Sequence, residues 1–417
     1  MARRKIREYD AKRIVSRNLG LDLKQAQVTP QTDMEKLKMQ NPWLTQGKLV
    51  VKPDMLFGKR GKHNLLLLNA DFPQAKEFIS KNMGKEIEIS GIKGAVTNFL
   101  IEQFVLHKEE YYFSITTERD EDVMLFSDTG GMDVEANWDR MIRIAVPVGA
   151  EADKGVIEKA IEGKLTPERR TKAAEFFASA HKMFVNLDLT LLEMNPLAFN
   201  ANGNPIPLDL RVEMDDTAEF KDKDKWMGID FPESFGRNPF PEEQFVKELD
   251  ANTGASLKLT LLNPEGRIWT MVAGGGASVI FADTVGDLGF SKELANYGEY
   301  SGDPNEEETY QYAKTVLDLA TRSNHPKGKI LLIGGGIANF TDVANTFKGI
   351  VRALKEYKEK LRKAKVSIFV RRGGPNYQTG LKLMRELGSE LGVPIEVYGP
   401  ETHMTAIVPM AIKKLSG

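Results

Sequence analysis

Five stretches of the chain carry residue types able to do chemistry. The first runs from Lys52-Pro53-Asp54 to Gly58-Lys59-Arg60-Gly61-Lys62 and gathers four cations and two glycines directly after the strand-like run 49–51. Ammonium and guanidinium groups bind phosphate oxygens, and glycine lets the backbone approach them. A solvated basic loop would have the same composition. The pattern GxxxxGK[ST] is absent, so this is not a Walker loop. In the second, Phe99-Leu100-Ile101-Glu102-Gln103-Phe104-Val105, a strand ends in a carboxylate and turns apolar again. Such a hinge can pair its backbone with an adenine edge, and an ordinary strand reads the same way. The third joins Leu191-Leu192-Glu193-Met194-Asn195-Pro196-Leu197 to Leu208-Asp209-Leu210 through the turn 200–204. A hairpin there lets Asn195 and Asp209 face one another. Hard oxygen donors of low total charge suit Mg²⁺ held jointly with phosphates, although many hairpins carry an Asn and an Asp.

The fourth stretch is Gly334-Gly335-Gly336-Ile337-Ala338-Asn339-Phe340-Thr341-Asp342. It reads as a glycine turn from a buried strand into a helix continuing through Phe347 and Val351. A helix N-terminus there offers N–H groups and a positive dipole end to an anion, with Asn339 and Thr341 adding side-chain hydrogen bonds. GxGxxG fails because Asn339 stands where the third glycine belongs, and no acid ends the next strand. Both features speak against a nicotinamide dinucleotide. The fifth, Arg371-Arg372-Gly373-Gly374-Pro375-Asn376, places two arginines at the end of a buried strand. A carboxylate-rich ligand would explain them, and so would ion pairs with neighbouring acids.

Composition narrows the classes. Cysteine is absent from the 417 residues, which excludes disulfides, Cys-ligated metals and thiol catalysis and fits a reducing cytosol. A net charge of −2 from 57 basic and 59 acidic residues excludes a globally basic nucleic-acid binder. The longest apolar runs, such as 65–68 and 330–333, are far too short to span a membrane. MARRKIREYDAKRIV has no apolar stretch and contains Glu8 and Asp10, so it reads as an amphipathic helix and not a targeting peptide. The expectation is a cytoplasmic protein with neither nucleic acid nor membrane as partner. The five histidines form no metal or triad spacing, and only His403, near the last strand, draws interest.

The elements that must position these residues change texture along the chain. Residues 1–240 mix helices and strands. Residues 8–19 have helical spacing, and 49–51 and 65–68 read as short strands. Thr166-Pro167-Glu168 opens a helix whose face is Ala173, Phe177, Ala180 and Phe184. GIDFPESFGRNPFPE at 228–242 reads as an ordered connector packed down by Phe231, Phe235 and Phe240. Residues 241–417 alternate strand, glycine turn and helix, with strands at 267–272, 329–333, 366–370 and 394–397. That pattern predicts an open, mainly parallel sheet with helices on both faces and ligands at the carboxyl ends of the strands.

Together these stretches resemble the ATP-grasp and citrate-binding part of the ATP-citrate lyase family. VTPQTD, NPWL, LVVKPD, KRGK, NFLIE, LEMNPL, DFPESFGR, GASLKLTLLNPEGRIWTMVAGGGASV, ELANYGEYSG, IANFTDVANTFKGIVRA, IFVRRGGPNYQ and ETHMTAIV carry the likeness from about residue 28 to 409. The start EYDAKRIV, the ExNP strand and the glycine–helix turn are also similar to the β subunit of succinyl-CoA synthetase. The resemblance implies an α/β chain: an ATP-grasp domain of two α+β subdomains at 1–240, then a flavodoxin-like or Rossmann-like open parallel α/β domain at 241–417. It implies a subunit that uses Mg²⁺ and ATP to phosphorylate a histidine on a larger partner subunit. Citrate then becomes citryl phosphate, and CoA displaces phosphate to give citryl-CoA, which is cleaved to acetyl-CoA and oxaloacetate. The phosphorylated histidine, most of the CoA site and the citryl-CoA lyase module would belong to that partner.

By position, the resemblance puts Lys52, Arg60 and Gly61 on the ATP phosphates. The Gln103 and Val105 backbones would meet adenine, Glu110 (or Glu109) the ribose, and Asn195 and Asp209 Mg²⁺. Ser301, Gly302, Asn339, Phe340, Thr341, Tyr357 and Arg372 would surround citrate. The helix end at Asn339 would also stabilise the phosphoryl group, and Asp250, Thr253 and Ala255 would form a further ion site. The alternatives are a succinate- or malate-CoA ligase β subunit and a non-catalytic citrate or nucleotide sensor.

Overall fold

A computed structural model of the chain describes residues 3–416 except 59, 132, 133, 135–137, 139 and 230, with backbone alone for 62 and 416. Lys59 of the basic loop and Asp230 of the connector therefore lie outside the described residues. Two compact units divide the chain, Met1–Asn238 and Pro239–Gly417.

The first unit holds two main antiparallel sheets and a two-stranded antiparallel pair, Glu86–Ile89 with Ile92–Ala95. The larger runs in the order Arg3–Lys5, Leu210–Asp215, Leu189–Phe199, Tyr111–Thr117, Glu121–Ser127, Ile142–Pro147, with Pro205–Pro207 paired to Leu189–Phe199. The long helix Pro167–Asn186 begins with proline in its first turn, where the missing N–H costs no hydrogen bond. Its expected face, Ala173, Phe177, Ala180 and Phe184, is buried. Phe177 stacks on Phe113 of the sheet with ring centroids 3.9 Å apart. The smaller sheet runs Gln25–Val28, Phe99–Gln103, Leu49–Pro53, Leu67–Ala70. Leu49, Val51, Phe99 and Ile101 point from it into a core closed by Phe72, Ala75 and Ile79 of the helix Phe72–Asn82. The strand expected at 65–68 is shifted to Leu67–Ala70, because Leu65 is drawn back by its N–H bond to Arg60 O.

The connector packs as expected through two of its three aromatics. Phe235 meets Phe57 at 4.7 Å and Phe231 lies 5.8 Å from Trp226, whereas Phe240 is 40% exposed.

In the second unit, Ile268–Ala273, Lys329–Gly335, Val366–Arg371 and Ile395–Tyr398 form a four-stranded parallel sheet in that order. Side chains alternate between two cores, as strand geometry requires. Trp269, Met271, Leu331, Ile333, Ile368 and Val370 face helices Glu306–Thr321, Val343–Glu356 and Tyr377–Leu391. Ile268, Val272, Ile330, Leu332 and Phe369 face Gly275–Asp287 and Ile407–Ser416. An antiparallel pair, Ser256–Leu261 with Asn296–Ser301, completes the unit.

One expected element is corrected. The helix after the glycine turn 334–336 does not start near Asn339 but at Val343, with Asp342 as its cap. Asp342 Oδ1 accepts from Asn345 N at 3.0 Å, and Val343 N donates to Pro375 O at 3.1 Å. The free donors of the first turn are thus consumed internally. A capping carboxylate already sits on the positive end of the dipole.

Candidate functional site

In the first unit a cavity of about 780 Å³ opens among the two sheets and the helix Glu8–Leu19. Its apolar part is lined by Leu23, Val50, Leu66, Leu68, Phe104, Val105, Ile206 and Leu208, and its polar part by Lys12, Lys52, Arg60, Glu102, Asn195 and Asp209. Such a division fits a flat base at one end and an anion at the other.

The polar end is a buried ionic cluster. Lys52 Nζ meets Glu8 Oε1 at 2.6 Å, Glu102 Oε2 at 2.9 Å and Leu208 O at 3.0 Å. Arg60 Nη1 meets Glu8 Oε2 at 2.5 Å and Asp209 Oδ2 at 3.4 Å. Lys12 joins Glu8 at 3.0 Å, Leu208 O at 2.8 Å, and Glu102. Burial pushes the Glu8 carboxyl up, but Lys52, Lys12 and Arg60 outweigh it and hold the group far below the usual carboxylate range. Burial works against the charged form of Lys52 too, and Glu102, Glu8 and Asp209 keep it protonated at any accessible pH. Asp209 is raised, first by desolvation and then by Glu8; its side chain nevertheless stays 43% exposed. Three acids and three bases make the cluster neutral. Glu8 and Lys12 carried no role in the sequence analysis. Their only signal was the i, i+4 spacing in EYDAKRIV, which puts both on one helix face.

Asp54 lies deeper, accepting from Gln27 Nε2 at 3.0 Å and Tyr9 N at 3.4 Å. Desolvation pushes its carboxyl from the ordinary 3.8 up to about 6. The folded chain therefore holds this proton more tightly than the unfolded one. The associated stability is complete below about pH 4 and is lost as pH rises through about 6, a loss of about 3 kcal/mol. Asp54→Asn imitates the protonated acid. It should melt several degrees above the native chain at pH 7.5, and the gap should shrink as pH falls to 5. A gap that widens on acidification would contradict this assignment.

At the other end, the strand Phe99–Gln103 delivers Gln103, Phe104 and Val105 to the cavity rim. Phe104 N is pinned to Lys48 O at 2.7 Å. His107 donates Nδ1–H to Val105 O at 2.8 Å, and its Nε2 lies 3.1 Å from Glu110 Oε1. Glu110 lines the cavity, whereas Glu109 is not among the lining residues and pairs with Arg169 at 2.5 Å. Between the two, geometry favours Glu110 as the ribose ligand. Glu110→Gln should weaken nucleotide binding about tenfold, the worth of one hydrogen bond to a charged group. Glu109→Gln should leave it unchanged, as read by nucleotide titration calorimetry.

Asn195 and Asp209 face one another across the hairpin, as expected, with Asn195 N donating to Asp209 O at 3.1 Å. Asn195 Oδ1 accepts from Gly131 N at 2.6 Å. One carboxylate and one amide oxygen beside a phosphate-sized space are the donor set that Mg²⁺ takes when phosphates and water fill its remaining positions. No group of three or more His, Cys, Asp or Glu among the described residues competes for a metal.

In the second unit, three loops meet at the carboxyl ends of the strands. Ser301-Gly302-Asp303 is tied to the next loop by Asp342 N donating to Asp303 Oδ1 at 3.1 Å. Ala338 N donates to Gly373 O at 2.9 Å, and Asn376 Nδ2 donates to Asp342 Oδ2 at 2.9 Å. Ser301, Gly302, Asn339, Phe340, Thr341 and Arg372 are thereby gathered. Phe340 is 67% exposed, and Thr341 is buried.

The two arginines do different work. Arg371 spends its donors on backbone carbonyls: Thr402 O at 2.9 Å, Gly335 O at 2.9 Å and Pro400 O at 3.3 Å. Arg372 donates Nη1–H to Gly336 O at 2.7 Å, its Nε has no partner, and it is only 4% exposed. Gly335 is required here, because a side chain on it would begin 2.8 Å from that Nη1. Neither arginine forms an ion pair with an acid among the described residues, so the ion-pair reading of this motif falls. Burial lowers Arg372 from its ordinary value, as for a cation that lacks its counter-anion.

The sequence analysis passed over three features of this unit, one of them, Tyr300, acting on Arg372. The Tyr300 hydroxyl is fully buried without a partner, and burial pushes it up to about 12. The helix Gly275–Asp287 starts at Gly274 with no side-chain cap, unlike the one at Val343. Glu299 stands beside that open start, its Oε2 2.8 Å from where a Gly275 side chain would begin. Only the glycines at 274–276 signalled this.

Tyr357 sits at the C-terminal end of the helix Val343–Glu356, 14 residues and about 20 Å along the axis from the Thr341 loop. Its hydroxyl donates to Asp318 Oδ1 at 3.3 Å. Asp250 has both oxygens engaged, by Leu257 N at 2.8 Å and Lys258 Nζ at 2.5 Å, and Thr253 Oγ1 accepts from Ala255 N at 3.1 Å. His403 is exposed and bonds Thr405 Oγ1 at 3.1 Å.

Comparison with known proteins matches both units. Residues 2–226 match the ATP-grasp domain family of ATP-citrate synthase, and residues 237–414 match the ATP citrate lyase citrate-binding family. The chain is 54% identical to ATP-citrate synthase alpha chain protein 2 of Oryza sativa subsp. japonica, over 99% of both chains. It is 49% identical to the ATP-citrate synthase of Homo sapiens over 93% of this chain but only 35% of that longer protein. Among solved structures, ATP citrate lyase from Methanothrix soehngenii, in complex with citrate and coenzyme A, matches with TM-score 0.89 and 52% identity. That match covers 99% of this chain and 100% of that one.

Proposed function

The chain belongs to the ATP-citrate synthase family, and we propose that it serves as that enzyme's ATP-grasp and citrate-binding subunit, working with a larger partner. It would take ATP and Mg²⁺ in its first unit and citrate in its second. The partner would supply the phosphorylated histidine, most of the CoA site and the citryl-CoA lyase module. The human relative supports a partner, because it carries this region as one part of a longer single chain. The absence of cysteine fits the cytoplasm. No helix among the described residues is long and apolar enough to cross a membrane.

In this reading the apolar end of the first cavity holds adenine against Leu66, Leu68 and Phe104, and Glu110 takes the ribose. Arg60, with donors left over after Glu8, binds the phosphates beside Gly61. Mg²⁺, held through Asn195 and Asp209, would neutralise phosphate charge during in-line transfer. The γ-phosphoryl leaves ADP for the partner's histidine and then for a citrate carboxylate. CoA thiol displaces phosphate, and citryl-CoA splits into acetyl-CoA and oxaloacetate. Arg372 binds a citrate carboxylate, and Asn339, Thr341 and Ser301 take its remaining oxygens. The open start of Gly275–Asp287, not the capped helix at Val343, offers backbone N–H groups to the anion.

The observation that carries this reading is the buried Arg372 with no acidic partner, at loops that in sequence match a citrate-binding family. The test is acyl-CoA formation from Mg-ATP, CoA and a carboxylic acid, with this chain alone and with its larger subunit. The expected result is acetyl-CoA from citrate only in the mixture. Succinyl-CoA or malyl-CoA formed without cleavage would establish the ligase instead. Binding of citrate and nucleotide with no turnover in any mixture would establish a sensor.

A further inference from the structure

Lys52 matches the ATP-phosphate position, yet three oxygens already surround its ammonium group, from Glu8, Glu102 and Leu208. An ammonium has three N–H groups. Lys52 therefore reaches a phosphate by giving up one of these three oxygens, and where that oxygen is a carboxylate's, a buried carboxylate left unpaired is strongly destabilising.

Lys12 removes that obstacle. Its ammonium touches the same three residues, Glu8 at 3.0 Å, Leu208 O at 2.8 Å, and Glu102. Each carboxylate is thus shared by two lysines, and Lys12 is itself 2% exposed on the helix Glu8–Leu19. We propose that Lys12 is a positioning residue that keeps Glu8 and Glu102 neutralised, so that Lys52 can exchange between them and the nucleotide phosphate. The proposal rests on the nucleotide reading of this cavity. It also explains why Glu8 and Lys12, one turn apart on the helix Glu8–Leu19, are buried charges.

The consequence is a sign pattern that a simple packing role would not give. Without Lys12, two carboxylates have Lys52 and Arg60 as their only cations and hold Lys52 back. With Glu102 neutralised, Lys52 is freer than in the native chain. Titration of the full chain with Mg²⁺ and a non-hydrolysable ATP analogue should show at least about tenfold weaker binding for Lys12→Met. Glu102→Gln should bind about threefold tighter, and Lys12→Met/Glu102→Gln should return to within about threefold of the native value. That is a strong non-additivity between contacting residues. Citrate binding should be the same in all four proteins. If Lys12→Met does not fold, the sign of Glu102→Gln decides. Equal affinity of Lys12→Met and native chain, weaker binding by Glu102→Gln, or a double variant worse than Lys12→Met would each overturn the proposal. Failure of the native chain to bind the analogue would instead defeat the nucleotide reading itself.

Discussion

Asp209→Asn should lower phosphoryl transfer at least about a thousandfold, a barrier increase of about 4 kcal/mol, and leave citrate binding unchanged. Asp209 is the single carboxylate of the expected magnesium pair, and it keeps 43% exposure beside the buried Glu8 and Glu102. An amide keeps its shape and one oxygen but removes the charge that holds a divalent cation beside phosphates. The fold should tolerate the change, because desolvation and Glu8 already push this carboxyl up. The residues proposed for citrate lie in the other compact unit, so a citrate titration reports whether the protein remains intact. Transfer of the γ-phosphoryl group, followed from labelled ATP in the complete enzyme, is the readout. Near-native transfer would remove Asp209 from the metal site.

Arg372→Gln should weaken citrate about a hundredfold or more, and the melting temperature of the free chain should hold or rise. Both effects have one cause. Arg372 is a buried cation whose only recorded bond is to Gly336 O, with a partnerless Nε. Such a group costs the empty fold several kcal/mol at most sites and gains its partner when a carboxylate arrives. The native chain should therefore gain thermal stability on adding citrate, and the variant should lose most of that gain. A variant that melts far lower without citrate would show that Arg372 is structural, as Arg371 is. Arg371→Gln should destabilise the free chain, because it leaves Thr402, Gly335 and Pro400 carbonyls without their donor.

The parallel sheet was legible because its strands are short apolar runs each closed by glycine, and no other element fits runs such as Ile330-Leu331-Leu332-Ile333. The Asn195–Asp209 hairpin was legible for a similar reason, two runs around an Asn-rich turn. The helix boundary at Val343 was missed because Asp342 is a stronger stop than the glycines before it, and its cap forms only when the loop 336–341 is held by Gly373. The different fates of Arg371 and Arg372 were not legible at all. Adjacent residues point to opposite sides, and only the fold decides that one side offers three carbonyls and the other one. The Lys12–Glu8–Glu102 cluster depends on contacts 90 residues apart in the chain, although the spacing of Glu8 and Lys12 was visible.

The most direct test of the central claim is a single-turnover experiment with γ-labelled Mg-ATP, this chain and its larger subunit. Label should appear on a histidine of the larger subunit, only when this chain is present, and should leave that histidine on addition of citrate but not succinate. Label that never moves from ATP to the larger subunit, or that is discharged equally by succinate, would contradict the account.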